Sequence, residues 1–433
     1  MIIDMKDKAV GGLRKILPSG LIHFLEEVYR RSRAWLVAAR FGFPAQSLRI
    51  IGITGTNGKT TTAVYLNEIL KQAGLRTALF STAVIEVAGE RKANDLNRTV
   101  ALAVSLNRFL SDAKKAGVDW VVLEVTSHAL QQHKLDGVNF EAAVMTNLTQ
   151  DHMDYHGTME AYAAAKAIMF SSKPRFIVLN RDDDWFDYFN QFEAGEHKMT
   201  YGTVPEAEAR IVRAGLHRQG SDIELLIDHQ TKLEFGTLLP GKFNVYNATA
   251  AATLSYLMHI SLEHITNGIE SLETVPGRLE RVEVEKPYDV IVDYAHSPDA
   301  LEKLLEALKE LTKNRVILVF GACGDRDKGK RPIMGKIAAK LADRIIVTDE
   351  ESYNEDPVVI REMILDGIRE VNAEARSEEI ADRREAIEKA LNIARPGDTV
   401  VITGMGHEQF RIEKGKKIPW NDAQVVKEVL ETK

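Results

Sequence analysis

The segment Ile50-Ile51-Gly52-Ile53-Thr54-Gly55-Thr56-Asn57-Gly58-Lys59-Thr60-Thr61-Thr62 constrains the fold more than any other. An apolar, β-branched run ends in a glycine turn with a lysine and a string of threonines. A helical pattern follows at Ala63, Val64, Leu66, Ile69 and Leu70, and it stops at Gly74. Strand, glycine loop and helix N-terminus together make an anion site. Bare backbone N–H groups and the helix dipole face the phosphate, and the lysine adds a full charge. A hydroxyl directly after the lysine is placed to ligate Mg²⁺ beside the phosphates. Gly55, Thr56, Asn57, Gly58, Lys59, Thr60 and Thr61 are therefore expected to hold a nucleoside triphosphate.

The chain has 433 residues, room for two or three domains. Its net charge of −7 argues against a general nucleic-acid partner. One cysteine, Cys323, excludes a disulfide framework and a zinc-binding cysteine cluster. That cysteine usage suits a cytoplasmic enzyme, and no apolar run reaches membrane-spanning length and no secretory signal is seen.

Residues 1–48 stand apart. Leu13, Ile16, Leu17, Leu21, Ile22, Leu25, Val28 and Tyr29 recur at helical spacing, and Arg14, Lys15, Arg30, Arg31, Arg33 and Arg40 give a basic face. Trp35, Leu36 and Val37 follow. Two readings stay open: a helical hairpin packed on the next domain, or a helix lying on an anionic membrane surface.

From Leu48 onward strands and helices alternate, the pattern of α/β domains with parallel sheets. Candidate strands are Val118–Val125, Ala142–Leu148, Phe176–Leu179, Val290–Asp293, Val316–Phe320, Arg344–Val347 and Thr399–Thr403. The stretch Thr200–Leu239 reads as more β-rich, with Ile223–Ile227 among its short alternating runs. A domain boundary is expected near Val275-Pro276-Gly277-Arg278. The expected units are 1–48, a central P-loop-type ATPase domain over 49–276 with a mostly parallel sheet, and a Rossmann-like α/β domain over 277–433.

Glu124 closes the buried run Val121-Val122-Leu123-Glu124-Val125. Ligands gather at the carboxyl ends of such strands, so Glu124 is placed to hold Mg²⁺ opposite Thr60. A second strand leads into Thr146-Asn147-Leu148-Thr149-Gln150-Asp151-His152-Met153-Asp154-Tyr155-His156-Gly157. Two histidines and two aspartates in six residues point to a metal and phosphate role rather than to a core.

These motifs resemble the Mur ligase family, the enzymes that build the peptide stem of bacterial cell wall. The Thr-Asn insert in the glycine loop is a mark of the family, and Glu124-Val125-Thr126-Ser127-His128-Ala129-Leu130 and Asp151-His152-Met153-Asp154-Tyr155-His156-Gly157 are similar to its MurE branch, which adds the third amino acid. The resemblance covers roughly residues 49–433. It implies ATP, two Mg²⁺ ions and an acyl phosphate attacked by an amine. It also implies that His152 lies near the second Mg²⁺. Lys166, in Glu160-Ala161-Tyr162-Ala163-Ala164-Ala165-Lys166, would be carbamylated by CO₂ to help hold that ion. Asn147 and Asn247 would contact the nucleotide, Asn247 at adenine, where an amide matches the donor and acceptor edge.

In the C-terminal unit, Arg278 is positioned at the junction to reach the phosphates as the domains close. The string Val292-Asp293-Tyr294-Ala295-His296-Ser297-Pro298-Asp299-Ala300 resembles the family's Asp-Tyr-Ala-His-x-Pro-Asp, whose aspartate and histidine meet ATP. Arg326, in Gly324-Asp325-Arg326-Asp327-Lys328-Gly329-Lys330-Arg331-Pro332, and Glu408, in Gly404-Met405-Gly406-His407-Glu408, correspond to contacts with the incoming amino acid. Asn97, Thr99, Ser127, Glu350, Tyr353 and Gly404 complete the implied substrate contacts, to a cell-wall precursor glycopeptide and an amino acid.

Two departures from the family pattern bear on specificity. Where diaminopimelate-using members carry Asp-Asn-Pro-Arg, this chain reads Glu350-Glu351-Ser352-Tyr353. Tyr353 replaces an arginine that would pair a distal carboxylate, and Glu351 adds a carboxylate, which favours a cationic side chain such as lysine or ornithine; a tyrosine also hydrogen-bonds carboxylates, so lysine-like residues and meso-diaminopimelate both stay open. The loop also starts at residue 55, where the family usually has a longer UDP-binding domain before it. The expectation is a segment, 1–48, that works through a partner protein or at the membrane periphery, with a UDP-linked or lipid-linked acceptor.

Overall fold

Runs of β-branched residues buried on both faces form the centre of each of two sheets. The structure is a computed structural model that describes residues 19–94, 103–413 and 416–431. The first sheet comprises β1 (Ile50–Thr54), β2 (Thr77–Phe80), β3 (Val84–Val87), β4 (Glu90–Ala93), β5 (Trp120–Glu124), β6 (Phe140–Met145), β7 (Phe176–Asn180), β8 (His197–Gly202), β9 (Ala209–His217), β10 (Gly220–Ile227) and β11 (Thr231–Thr237). Their spatial order is β11-β10-β9-β8-β7-β6-β1-β5-β2-β3-β4. The strands from β9 to β2 in that order run parallel, and an antiparallel hairpin extends each edge.

The helices are α1 (Ser19–Arg40), α2 (Lys59–Gln72), α3 (Ala103–Lys115), α4 (Met159–Ser171), α5 (Lys242–Leu257), α6 (Leu262–Glu270), α7 (Pro298–Leu311), α8 (Lys330–Leu341), α9 (Pro357–Arg369), α10 (Arg383–Ile393) and α11 (Asp422–Glu431), besides shorter turns. Val64, Leu66, Ile69 and Leu70 of α2 share one core with Ala248, Ala251 and Leu254 of α5 and Ile265 and Ile269 of α6. Leu106, Phe109 and Leu110 of α3 share the other with Ala163, Ala167 and Phe170 of α4. Helices therefore cover both faces, which is why every residue of β1, β5 and β7 is buried.

The second sheet has the order β12-β13-β17-β14-β15-β16, from β12 (Glu280–Val282), β13 (Asp289–Asp293), β14 (Val316–Phe320), β15 (Arg344–Val347), β16 (Ser377–Glu379) and β17 (Thr399–Thr403). All its pairs are parallel except β12 with β13. Leu301, Leu305, Met334 and Ile364, from α7, α8 and α9, pack on one face, and Ile387 and Val426, from α10 and α11, on the other. This is the doubly covered α/β arrangement expected of the C-terminal half.

The expected strands are found within two residues of their ends, with one instructive shift. The run expected over Ala142–Leu148 pairs only as far as Met145. Past it the Thr146 N–H still donates to Thr54 O at 3.0 Å, and the side chains of Thr146 and Asn147 bond the glycine loop. Among the described residues the amino-terminal segment gives one long helix, α1, packed on α3 with Ala34 and Ala38 buried. The first half of a hairpin, with Leu13, Arg14, Lys15, Ile16 and Leu17, lies outside the described residues, as do Asn97 and Thr99. No described helix is long and apolar enough to cross a membrane.

Candidate active site

Parallel pairing carries the ends of β1, β5 and β6 to one edge. Ile53 stands beside Glu124, and Thr54 beside Met145. The glycine loop, Glu124 and the Thr146 segment thus meet in the crevice where an open α/β sheet binds ligands.

The loop requires its glycines. Gly58 has φ 84°, and a Cβ there would overlap Asn247 Oδ1. Asn247 therefore sits against the loop, where its Nδ2 donates to Asn244 Oδ1 at 3.0 Å and its Oδ1 accepts from Thr62 Oγ1 at 3.4 Å. Asn147 braces the opposite side: its Oδ1 accepts from Asn57 N at 2.9 Å and its Nδ2 donates to Asn57 O at 3.0 Å. Both functional atoms of Asn147 shape the backbone of the loop. Thr56 is fixed by Thr149, whose N–H donates to Thr56 Oγ1 at 3.0 Å. Thr60 and Thr61 are buried in the first turn of α2, which has no side-chain cap. That leaves first-turn N–H groups facing the loop.

Lys59 Nζ folds back to donate to Thr56 O at 2.7 Å. Burial lowers its pKa, Arg278 adds to that effect, and Glu124 and Asp151 oppose it. Thr60 Oγ1 donates to Glu124 Oε2 at 2.8 Å. Thr82 holds the same carboxylate through its N–H at 2.7 Å and its hydroxyl at 2.8 Å. A hydroxyl and an oriented carboxylate are hard oxygen donors, and they fit Mg²⁺ when phosphate and water complete the shell.

Lys166 is fully buried at the other end of the loop, with Nζ donating to Gly55 O at 2.7 Å and lying 4.4 Å from the Tyr162 ring centre. Burial drives its pKa well below the usual lysine value, and nearby Lys59 pushes the same way. As a free amine Lys166 gives a metal nothing but repulsion when protonated. As a carbamate it would give two oxygens. His152 has φ 56° at the start of a one-turn helix, and its N–H donates to Asp151 Oδ1 at 2.8 Å. Burial pushes its pKa down to about 3, which leaves a neutral imidazole at pH 7. Burial works against the Asp151 carboxylate, but His152, Lys330 and His296 outweigh it and hold its pKa low. Among the described residues no three His, Cys, Asp or Glu side chains form a metal cage by themselves. Beside this group Ser127 Oγ and His156 Nε2 are hydrogen-bonded at 2.9 Å.

The second sheet reaches this edge through several contacts. Asn57 Nδ2 donates to Asp299 Oδ2 at 2.6 Å. Arg278 Nη2 donates to Thr60 Oγ1 at 3.2 Å while its guanidinium lies 4.7 Å from the Tyr294 ring centre. Asp293 spends its carboxylate on the junction, accepting from Leu279 N at 2.6 Å and Ala295 N at 2.7 Å. His296 bonds Tyr294 O through Nδ1 at 2.7 Å, and Lys330 Nζ donates to His296 O at 2.8 Å.

Beyond Tyr294 lies an acidic pocket. Tyr294 OH donates to Glu408 Oε1 at 3.4 Å. Glu350 accepts from Cys323 Sγ at 2.7 Å, and its buried Oε2 has no hydrogen-bond partner among the described residues. Gly404 is required beside it, with φ 107° and no room for a Cβ against Glu350. Tyr353 OH donates to Glu351 Oε2 at 2.6 Å, and the Arg326 guanidinium lies 5.4 Å from the Tyr353 ring centre. Burial, then Glu351 and Glu350, push the Glu408 carboxyl up to about 9. Three carboxyl groups are gathered here, and their mutual repulsion favours the protonated form of Glu408.

The structure thus joins Lys59, Thr60, Glu124, His152, Lys166 and Arg278 at one edge, and Glu350, Tyr353, Arg326, Gly404 and Glu408 in a second group reached through Tyr294. Sequence reasoning passed over Tyr294, Asp151, Lys330 and Asp299. All four lie inside motifs that the sequence presents, Asp299 as the last residue of Asp293–Asp299 and Lys330 within Gly324–Pro332.

Comparison with known proteins gives the family and the fold. The Mur ligase middle domain matches residues 53–255, and the Mur ligase, glutamate ligase domain matches residues 277–406. The UDP-N-acetylmuramoyl-L-alanyl-D-glutamate–2,6-diaminopimelate ligase of Solibacter usitatus is 40% identical over 93% of this chain and 82% of its own. A solved structure of a ligase with that same name is 34% identical, with TM-score 0.62, over 89% of this chain and 78% of its own. The Mycobacterium tuberculosis folylpolyglutamate synthase shares the fold with TM-score 0.73 at 21% identity, over 86% of this chain and 92% of its own. The chain belongs to the Mur ligase family, whose members use ATP and Mg²⁺ to form amide bonds.

Proposed function

We propose that this Mur ligase adds the third residue of the peptidoglycan stem to UDP-N-acetylmuramoyl-L-alanyl-D-glutamate or its lipid-linked counterpart, and that the residue added carries a cationic side chain. The body spanning 49–276 binds ATP and acceptor, and the body spanning 277–433 brings the amino acid. The observation that carries the reading is the string Glu124–Thr60–Arg278–Tyr294–Glu408, which connects the phosphate loop to the three-carboxylate pocket.

In the reaction, Lys59 and the first turn of α2 orient the γ-phosphate toward a carboxylate of the acceptor. Arg278 adds positive charge where charge develops, and the resulting acyl phosphate meets the incoming amine. Thr60 and Glu124 would hold one Mg²⁺, and His152 with carbamylated Lys166 a second, and the bound ions would supply charge neutralisation at the phosphates. A neutral, buried amine is the form that reacts with CO₂, which supports the modification of Lys166. Ser127, oriented by His156, and residues Asn97 and Thr99 contact the acceptor. Asn147 and Asn247 position the nucleotide through the loop, and Asp293 and His296 hold the junction that closes on it.

Glu350, Glu351 and Glu408 take the cationic end of the amino acid, and Arg326 its carboxylate. Diaminopimelate would place a second carboxylate near Glu350 and Glu351, where no arginine stands at position 353. We also place the basic amino-terminal segment, residues 1–48, at a membrane or partner surface. The testing experiment measures phosphate release with Mg²⁺-ATP, the UDP-linked dipeptide and lysine, ornithine or meso-diaminopimelate, with product masses. Turnover with lysine or ornithine is expected. Turnover with meso-diaminopimelate alone would refute the cationic reading of the pocket.

A further inference from the structure

We propose that α1 is a docking helix for an anionic lipid bilayer. Most of its described large apolar residues are exposed. Leu21, Phe24, Leu25, Val28, Tyr29, Trp35 and Leu36 are all exposed, Trp35 and Leu36 to more than 60%. Their spacing of three, four and seven residues puts them on one stripe along the helix. The side that packs on α3 is small, with Ala34 and Ala38 buried there. The exposed stripe is on the order of 500 Å², the size at which an apolar patch marks an interaction site. Trp35 and Leu36 also line a groove of about 580 Å³ with Arg31, Phe43 and Val138, which carries the apolar surface from the helix onto the body.

Charge decides what covers this face. Arg31, paired with Glu27 at 2.9 Å, borders the stripe on one side, and Arg33 and Arg40 border it on the other. Among the described residues Arg33 and Arg40 have no ion-pair partner. Residues 1–48 carry eight Lys and Arg against four Asp and Glu, while the whole chain is −7. An apolar stripe between basic flanks, on an otherwise acidic protein, matches a surface of acyl chains under anionic headgroups. A second copy of the chain would set arginine flanks against arginine flanks. The proposal rests on the placement of residues 1–48 at a surface, and not on the choice of amino acid.

The test is flotation of the full chain with vesicles of phosphatidylcholine, with and without one-third phosphatidylglycerol. Binding to the anionic vesicles alone is expected, weakened by salt. Arg33→Glu/Arg40→Glu should reduce the partition coefficient at least about 25-fold, at about five-fold per arginine lost. Leu25→Ser/Val28→Ser should reduce it comparably. Both variants change exposed residues, and turnover of the soluble UDP-linked acceptor should match the parent. That readout separates failure of docking from failure of the ligase reading, because flotation needs no turnover. Absence of flotation with anionic vesicles at low salt overturns the proposal. So does equal flotation with neutral vesicles, or a dimer in solution that Leu25→Ser/Val28→Ser dissociates while lipid binding is absent.

Discussion

Replacing Glu408 by glutamine tests the reading of the amine pocket, because the structure gives both the size and the sign of the effect. Glu408 is buried, and its carboxyl is pushed from 4.5 up to about 9 by burial, Glu351 and Glu350. A raised carboxyl means that the folded chain holds this proton more tightly than the unfolded chain. The associated stability is complete below pH 4.5 and is lost as pH rises toward 9. At about 1.4 kcal/mol per pH unit, the loss is about 3 kcal/mol by pH 7 and about 6 kcal/mol by pH 9. Glutamine removes it, so Glu408→Gln should raise the unfolding midpoint of the substrate-free protein at pH 8 while weakening its substrate. A cation entering the pocket selects the ionised carboxylate, so binding should release one proton. Amino-acid affinity should rise nearly tenfold per pH unit between 7 and 9. Removing one member of a buried charge pair costs at least about 2 kcal/mol, so Glu408→Gln should weaken binding about 30-fold or more and flatten its pH dependence. Calorimetry in two buffers of different ionisation heat counts the proton, and KM against pH for parent and variant gives the slope. No proton release, or the same slope in both proteins, would refute the assignment of the cationic end to Glu408.

Three further outcomes are expected. Lys59→Ala should lower amino-acid-dependent ADP release by about 10²–10³-fold, the loss typical of one charge-stabilising donor, and unchanged release would remove Lys59 from the reaction. Enzyme kept free of CO₂ should lose about 10–100-fold in activity at limiting Mg²⁺ and recover on adding bicarbonate, while Lys166→Met should stay inactive with or without it. Bicarbonate-independent activity would rule out the carbamate. Asp422→Ala should destabilise the chain by about 3–5 kcal/mol, because it strands the guanidinium of Arg383. Both residues are fully buried, and Arg383 donates to Asp422 at 2.8 and 2.7 Å. A shift in urea midpoint of under about 1 kcal/mol would show that water reaches the pair.

Amino-acid order alone determined the phosphate loop, the parallel strands around it and the motifs of the crevice. These are local consequences of β-branched runs, glycine turns and helix starts, all read within a dozen residues. Glu124 was legible because a carboxylate ending a buried strand has few other places to go. Lys166 had no local signal: in an alanine-rich helix it resembles a solvated side chain, and only its resemblance to a family position singled it out. Its burial against Gly55 O follows from the packing of α4 on the sheet. The tertiary structure also decided what the amides do. Asn147 was read as a nucleotide contact, and folding engages both of its amide atoms with the backbone of Asn57. The largest gap lies between the two sheets. Arg278, Tyr294 and Glu408 become parts of one string, and Asp299 meets Asn57, only when β13 and β17 are paired and set against the phosphate loop. Such contacts join residues up to 242 positions apart, and sequence periodicity reports each element's own face but not which distant face it meets.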